Sequence, residues 1–348
     1  MIIDVHSHLW APPELNGMGL NLVGSDGHYS GMEPRIPDER FLEHLQVLFR
    51  ALDMVGTEFQ MVSPRPFTML HSRGARLVDV WTRWNNNAIA QQVRLAPDRF
   101  QGMAGLPQVA GEPIERVFPE MERCLDELGF NSILINPDPS EGTGFVPPMG
   151  DAYWYPLYEK MCERDIPALI HASSCCNGRE TYANHFITEH SIALMSMIKE
   201  GIMQRFPGLK IVVAHGGGSV PYQIGRWRAE RGSFPDFGKG SVQGKLNLIE
   251  RPFDDDLQLF KFDTCLHSAP AIEYLIKTVG PDCVCFGTER IGSGTTINPA
   301  TGRSFDDVRP DIEAMDFLSD ADRTKIFEGN ARRVYPRLDA ALRARATA

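Results

Sequence analysis

The chain begins Met1-Ile-Ile-Asp-Val-His6-Ser-His8, a short apolar run that ends in two histidines. Side chains two positions apart in a β-strand point the same way, so both imidazoles can reach one metal ion. Two later segments, Pro-Ala-Leu-Ile-His171 and Ile-Val-Val-Ala-His215, repeat the pattern of an apolar run followed by histidine. This recurring pattern predicts β-strands that have candidate catalytic or metal-binding histidines at their ends.

Eight short apolar runs predict β-strands, and they are near-continuously apolar, as is typical of parallel strands covered on both faces. They are Ile2–His6, Phe59–Ser63, Gln101–Leu106, Ser132–Asn136, Ala168–His171, Lys210–His215, Phe260–Asp263 and Cys283–Gly287. Seven amphipathic segments between them predict helices: Asp38–Val55, Ala75–Ala96, Pro113–Leu128, Trp154–Arg164, His190–Phe206, Val220–Glu230 and Pro270–Val279. This alternation predicts an α/β fold, a (β/α)₈ TIM barrel with a terminal helical segment at Asp307–Ala346.

A doubly wound sheet is the competing architecture. It usually carries a glycine-rich phosphate turn after its first strand, whereas this first strand ends in His-Ser-His. The 348 residues show no repeat or linker, so one domain over 1–348 is expected. The basic tail Arg332–Arg345 is interpreted as a packing or subunit-contact helix, and we expect a homo-oligomer, a dimer.

The composition excludes several classes of protein. Lys plus Arg number 35 against 45 Asp plus Glu, a formal charge of −10, which argues against nucleic acid or an anionic membrane as the main partner. No apolar run reaches the ~18 residues of a membrane span, and the N-terminus lacks the features of a signal peptide. Seven cysteines suit reduced thiols better than a disulfide framework. We therefore expect a cytoplasmic enzyme with a small-molecule substrate.

The polar residues at the predicted strand ends form one candidate site. In a barrel the carboxyl ends of all strands meet at one face, where active sites lie. That face would bring together His6, His8, His171, His215 and Glu289, the last of which ends Val-Cys-Phe-Gly-Thr-Glu. A single buried histidine is often only a core residue. Four histidines, each at the end of a predicted strand, instead predict a metal centre.

These motifs resemble the amidohydrolase superfamily, in the branch that includes aminocarboxymuconate-semialdehyde decarboxylase. The resemblance runs from the first-strand histidine pair to Gly-Asn-Ala-Arg-Arg333. It implies a distorted (β/α)₈ barrel in which His6, His8, His171 and an acid after the eighth strand bind the metal, with His215 near the substrate. Most of that branch has Gly-Ser-Asp at the acid position, followed soon by proline. Here the motif is Gly-Thr-Glu289-Arg-Ile-Gly.

The departure at Glu289 resembles a smaller group, the 4-oxalomesaconate hydratases. Ser-Pro-Arg65, His-Ala-Ser-Ser-Cys-Cys-Asn177 and the tail that begins Phe327-Glu-Gly-Asn are similar to that group. The resemblance implies addition of water to an unsaturated oxo-tricarboxylate in bacterial protocatechuate and gallate catabolism, with zinc as the usual metal. A decarboxylase or C–C bond hydrolase with the same ligands is one alternative. A catalytically inactive metal- or ligand-binding protein is the other.

The residue types suggest a mechanism of their own. Three imidazoles and a carboxylate suit Zn²⁺, or alternatively Mn²⁺, with a position left for water. The cation would lower the pKa of that water towards ~7, and Glu289 could accept its proton as a general base. The resulting hydroxide would add to one carbon of the substrate's C=C bond. The other carbon of that bond must then gain a proton, which could come from His215 or from a thiol of the pair Cys175–Cys176. His215 is the preferred donor, because its strand-end position faces the site.

A polycarboxylate substrate needs cationic anchors. Arginine suits this role because its planar fork binds a carboxylate through two parallel hydrogen bonds. Arg65 follows the second strand and is the first candidate, and Arg226, on the helix after the sixth strand, is the second. Asn177, His185 and Tyr222 are further candidates for substrate binding. The alternative for each arginine is a surface charge or a structural ion pair.

Overall fold

The computed structural model describes residues 1–28, 33–233 and 251–346. Within these ranges, eight parallel strands pair in chain order, so the predicted (β/α)₈ barrel is confirmed. The strands are β1 (Ile3–His8), β2 (Phe59–Ser63), β3 (Phe100–Gly105), β4 (Ser132–Ile135), β5 (Ala168–Ile170), β6 (Ile211–Val213), β7 (Lys261–Asp263) and β8 (Val284–Cys285). Each overlaps its predicted segment. The main difference is that β1 continues through His8, which places both histidines of the pair in extended backbone.

Backbone hydrogen bonds join the first and last strands. The N–H of Val5 donates to the carbonyl of Phe286 at 2.9 Å, and the N–H of Glu289 donates to the carbonyl of His6 at 2.8 Å. The second bond fastens the segment after β8 to the first-strand histidines. Barrel closure therefore brings the first strand and the segment after the last strand together at one site.

The helices surround the barrel. They are α1 (Pro13–Gly24), α2 (Asp38–Val55), α3 (Ala75–Leu95), α4 (Phe118–Asp126), α5 (Tyr155–Arg164), α6 (Tyr182–Lys199), α7 (Ile202–Arg205), α8 (Ile224–Ser233), α9 (Phe253–Leu257), α10 (Ala269–Val279), α11 (Arg309–Glu313), α12 (Asp320–Thr324), α13 (Asn330–Val334) and α14 (Pro336–Ala346). None of these described helices has the length and apolar character needed to cross a bilayer.

Two helices show how local sequence sets these bounds. In α2, Phe41, Leu45, Leu48 and Leu52 recur at helical spacing and are all buried, and the helix ends at Gly56 in the left-handed conformation. The start of α6 was predicted at His190, but the helix begins at Tyr182. The cause is local, because the Thr181 side chain accepts a hydrogen bond from a backbone N–H and caps the helix there.

The interior of the barrel is closed at its amino-terminal end. Tyr335, Leu338 and Leu342, from α14 and the residue before it, pack in one cluster with strand side chains such as Ile3 and Met61. The predicted tail helix therefore packs against the barrel. Its role as a subunit contact stays a prediction.

Candidate metal and catalytic site

The first-strand histidines lie in a compact cluster of imidazoles at the carboxyl ends of the strands. The ring centroids of His6 and His8 are 5.1 Å apart. His171, which follows β5, lies 4.9 Å from His6 and 5.3 Å from His8. All three side chains are buried, and each offers a nitrogen within 4.8 Å of the others. The structure thus brings together the three predicted histidine ligands.

Hydrogen bonds orient His6 and His8. The Nδ1 of His6 lies 2.7 Å from a carboxylate oxygen of Asp263, to which it can only donate. The Nδ1 of His8 lies 2.8 Å from the hydroxyl of Ser63, which itself donates to the carbonyl of Ser7. Both rings therefore carry the proton on Nδ1. Their Nε2 atoms are buried and form no hydrogen bond with any described residue.

His171 and His215 face each other with their Nε2 atoms 3.2 Å apart. The Nδ1 of His171 donates to the carbonyl of Ala172 at 2.7 Å, and that of His215 donates to the carbonyl of Cys265 at 3.1 Å. Each Nε2 then carries a lone pair, and two lone pairs in contact repel each other. A cation, or a proton between them, would relieve this repulsion.

The protonation states favour metal binding. Burial lowers the pKa of His8 to about 3, and burial also holds the pKa of His171 well below its usual value. For His6, burial opposes protonation, but the charge of Asp263 outweighs it and raises the pKa. Metals bind the neutral imidazole, so two of the three rings are already in the binding form.

Glu289 supplies the carboxylate beside the imidazoles. Its Oε1 lies 3.5 Å from the Nε2 of His8. Burial would favour the neutral acid, but the neighbouring imidazoles, that of His8 first, hold the pKa of Glu289 well below its usual range, so it is ionised. Gly287 lets the segment after β8 pass close to the ends of β1 and β7, because a Cβ there would lie 2.8 Å from the Cβ of Asp263 and 3.1 Å from that of His6.

The donor set fits a divalent cation. The unpartnered Nε2 atoms of His6 and His8 lie in the three-histidine group, and the ionised carboxylate of Glu289 is 3.5 Å from the second of them. Buried nitrogen lone pairs without a partner are costly unless a ligand occupies the space between them. Imidazole and carboxylate donors suit Zn²⁺ and also Mn²⁺. The Nδ1 hydrogen bonds are the supporting contacts that metal-binding histidines almost always make.

A cavity of about 490 Å³ opens over this cluster. His215 and Glu289 line its floor, and apolar groups such as Trp10, Phe67 and Phe186 form its walls. It has the concave, mostly apolar form with a few polar groups that is typical of small-molecule sites.

Arg65 enters the cavity as predicted. Its guanidinium carbon lies 6.0 Å from the ring centroid of Trp10 and 5.8 Å from that of Phe67, and it donates to the carbonyl of Ile291 at 3.1 Å. It forms no ion pair with any carboxylate among the described residues. Arg290 shows the opposite behaviour, because it is buried against Asp306 in a structural ion pair.

The structure does not bring the other four predicted substrate residues to this cavity. Arg226 is on the exposed face of α8. Tyr222 stacks on Tyr274 with ring centroids 5.6 Å apart, and its hydroxyl donates to the carbonyl of Ala271. Tyr222 precedes α8 and Arg226 is on it, and neither is among the residues that line the cavity.

Asn177 and His185 belong to a neighbouring polar cluster. Both bind Glu180, with an Nδ2–Oε1 distance of 3.3 Å for Asn177 and an Nδ1–Oε1 distance of 3.2 Å for His185. His185 is on the face of α6 turned away from the cavity, whereas its neighbour Phe186 lines it. The cap at Thr181 sets where this helix begins.

The cysteine that lines the cavity is not one of the predicted pair Cys175–Cys176. Cys175 and Cys176 are outside the lining residues, and Cys176 is exposed. Cys265, which follows β7, lines the cavity instead, with its Sγ 3.9 Å from Glu289 Oε2. The geometry therefore favours His215 over the Cys175–Cys176 pair as a group that faces the reaction space.

Three residues that lie in or beside this site are not among the residues predicted from the sequence. Asp263 ends β7 and orients His6, so the rule that selected the other strand-end residues could have found it. His267 lines the cavity a few residues later. His190 stacks on His215 at 5.4 Å and accepts a hydrogen bond from the N–H of Ala172. Only the fold reveals His190, because it comes from the middle of a helix.

Comparison with known proteins identifies the class that this fold and site define. A family model described as amidohydrolase matches residues 3–337. The chain belongs to this family. It is also 36% identical over 353 residues, and 99% of each chain, to 2-keto-4-carboxy-3-hexenedioate hydratase of Sphingobium sp. (strain NBRC 103272 / SYK-6). The predicted resemblance to the hydratase group is confirmed.

Solved structures agree. The crystal structure of 4-oxalomesaconate hydratase from Rhodopseudomonas palustris has a TM-score of 0.86 and 34% identity, and covers 100% of this chain and 99% of its own. The 5-carboxyvanillate decarboxylase of Novosphingobium aromaticivorans, solved with manganese, has a TM-score of 0.71 and 20% identity over 97% of this chain and 96% of its own. The second likeness shows the shared barrel.

Proposed function

We propose that this chain is a metal-dependent hydro-lyase that adds water to the C=C bond of an unsaturated oxo-tricarboxylate, 4-oxalomesaconate or its double-bond isomer 2-keto-4-carboxy-3-hexenedioate. The observation that carries the proposal is the cluster of His6, His8 and His171 with the ionised Glu289 3.5 Å from His8, beneath a cavity that contains Arg65. Arg65 forms no ion pair with a carboxylate of the described residues. The full-length similarity to hydratases supports the choice of reaction.

The substrate's chemistry fits this set of groups. In 2-keto-4-carboxy-3-hexenedioate, the C3=C4 bond is conjugated with the C2 ketone, so C4 is electron-poor and accepts a nucleophile. The OH of water adds to C4, and the electron pair of the double bond moves towards C3 and the ketone. C3 then takes a proton, so the atoms of one water molecule are all accounted for.

The protein's residues would handle the proton. A divalent cation at the histidine cluster, when bound, polarises oxygen ligands and lowers the pKa of water. Glu289 is ionised and takes the proton of the attacking water. One ligand atom of Glu289 and one of His215 lie within 4.8 Å of each other, a gap that one water molecule can bridge, so the proton would pass through such a water to His215 and then to C3. Arg65 holds a substrate carboxylate.

An assay tests the reaction class. Purified protein supplied with Zn²⁺ should remove the conjugated absorbance of 4-oxalomesaconate without releasing carbon dioxide, and a chelator should abolish this activity. Release of carbon dioxide would support the decarboxylase alternative. Cleavage into two acids would support the C–C hydrolase. No conversion by fully metallated protein would contradict the proposal.

Finer properties complete the proposal. We assign zinc as the metal, with manganese as the alternative, because the donor set of imidazoles and carboxylate suits both. We also propose a single domain over 1–348, a homodimer and a cytoplasmic location. All seven cysteines are free thiols, which agrees with a reducing compartment. Metal analysis after expression with each ion, and the mass of the protein in solution, test these assignments.

A further inference from the structure

A second group of metal-ligand residues lies outside the cavity. Asp138 follows β4, and His185 and Glu189 are four residues apart on α6, so their side chains are on one face of that helix. One ligand atom from each lies within 4.8 Å of the other two. None of the three lines the catalytic cavity.

His185 is held in the same way as the first-strand ligand His6. Its Nδ1 lies 3.2 Å from Glu180 Oε1, just as the Nδ1 of His6 lies beside Asp263. Its side chain is 1% exposed, and its buried Nε2 makes no hydrogen bond with a described residue, although Asp138 Oδ2 lies 3.5 Å away. A metal-binding histidine has this arrangement, in which one ring nitrogen binds a carboxylate and the other is free for the metal.

The charges around His185 are predominantly negative. Asp138 is held as an acceptor by the N–H and hydroxyl of Ser140, at 3.0 and 2.6 Å, and by the N–H of Gly142 at 2.6 Å. Burial and the charge of Asp138 raise the pKa of Glu189 above its usual range. The described residues supply no lysine or arginine ion pair to Asp138, Glu180 or Glu189. Within the described chain, the imidazole of His185 is then the one group paired with these carboxylates that can carry a positive charge.

We propose that Asp138, His185 and Glu189 form a second divalent-cation site, with Glu180 as the residue that orients the imidazole. One nitrogen and two carboxylate oxygens suit a borderline cation such as Zn²⁺ or Mn²⁺. The bound ion connects the loop after β4 to α6. Because Phe186 packs on the ring of His171 at 5.0 Å, the ion would fix the helix that forms one wall of the catalytic cavity.

Equilibrium dialysis of the full chain, made without a histidine tag, against increasing Zn²⁺ tests the proposal, with bound metal counted by mass spectrometry. The wild type should approach about two ions per chain, and Glu189→Gln should level off near about one. Asp138→Asn should behave like Glu189→Gln. Glu159→Gln, which removes an exposed carboxylate from the neighbouring helix α5, is the matched control and should match the wild type.

The result is independent of the catalytic proposal. His8→Ala should lose the ion of the histidine cluster and keep the second, whereas Glu189→Gln should keep the catalytic ion and the hydratase activity measured at saturating Zn²⁺. A wild-type plateau at about one ion per chain would overturn the second site, since the acidic group would then be neutralised by protons alone. Retention of both ions by Glu189→Gln and by Asp138→Asn would also overturn it.

Discussion

The two ends of the barrel interior are equally buried, but they are filled in opposite ways. At the amino-terminal end, Tyr335 and Leu338 pack against strand side chains in a continuous apolar cluster. At the carboxyl end, His6 and His8 are as buried as the core, yet their Nε2 atoms have no partner among the described residues.

The difference separates residues that stabilise from residues that bind. A buried polar atom without a hydrogen bond costs about 1–3 kcal/mol, and packing cannot recover that cost. Several such atoms directed at one point indicate a ligand, whereas a packed end indicates stability. In TIM barrels, function is found at the carboxyl end and stability at the other. Substitutions at the two ends should therefore have different consequences.

The largest effect on turnover is expected at Glu289. Glu289→Gln keeps the size of the side chain but removes its basicity, so kcat should fall about 10²-fold or more. Metal content should fall less, because the three imidazoles remain. Steady-state kinetics on 4-oxalomesaconate together with metal analysis measure both quantities. Wild-type turnover by this variant would move the role of base to His215.

The next effect is expected at Arg65. Arg65→Ala would leave a substrate carboxylate desolvated and unpaired, at a cost of roughly 2–5 kcal/mol in kcat/KM. Arg65→Lys should recover only part of this loss, since an ammonium cannot form two parallel hydrogen bonds. The matched control is Arg226→Ala, which removes an exposed arginine and should leave kcat/KM unchanged. A loss below about threefold in Arg65→Ala, with metal intact, would exclude this anchor.

Most of the barrel and the centre of the site could be predicted because their signals are local. Each strand is an apolar run, and histidines stand at the end of β1 and just after β5 and β6. Parallel strands then bring these ends together, as the 4.9 Å separation of the His6 and His171 rings shows. Arg65 follows the same rule after β2.

The missed and displaced residues depend on helix rotation, which a strand-end rule does not supply. His185 and Phe186 are adjacent in sequence, but only Phe186 faces the cavity. His190 reaches His215 because α6 packs over the cluster. Arg226 is exposed because of the direction of α8. Their positions follow from long-range packing, and a single sequence carries little information about it.

A smaller effect is expected at Asp263, which supports the metal site without joining it. Asp263→Asn keeps the shape but removes the charge that orients His6, so metal affinity should fall about 10–100-fold. Competition with a chelator of known affinity measures this, and added metal should restore turnover. Ser63→Ala, which removes the neutral partner of His8, is the comparison and should cost less affinity. Equal affinity in Asp263→Asn and wild type would contradict this supporting role.

The smallest effect on activity is expected at the packed end, and it provides the strictest test of the comparison. The hydroxyl of Tyr335 is buried without a hydrogen-bond partner in the described chain, whereas the hydroxyl of Tyr158 donates to the carbonyl of Met149 at 2.6 Å. Tyr335→Phe removes an unpaired polar group, so the free energy of unfolding should stay equal or rise by about 1 kcal/mol. Tyr158→Phe leaves a buried carbonyl unpaired and should lower the free energy of unfolding by about 1–2 kcal/mol.

Both variants should keep wild-type kcat/KM and metal content. Denaturant unfolding and steady-state kinetics measure these outcomes, and a clear loss of metal in Tyr335→Phe would show that the two ends are coupled.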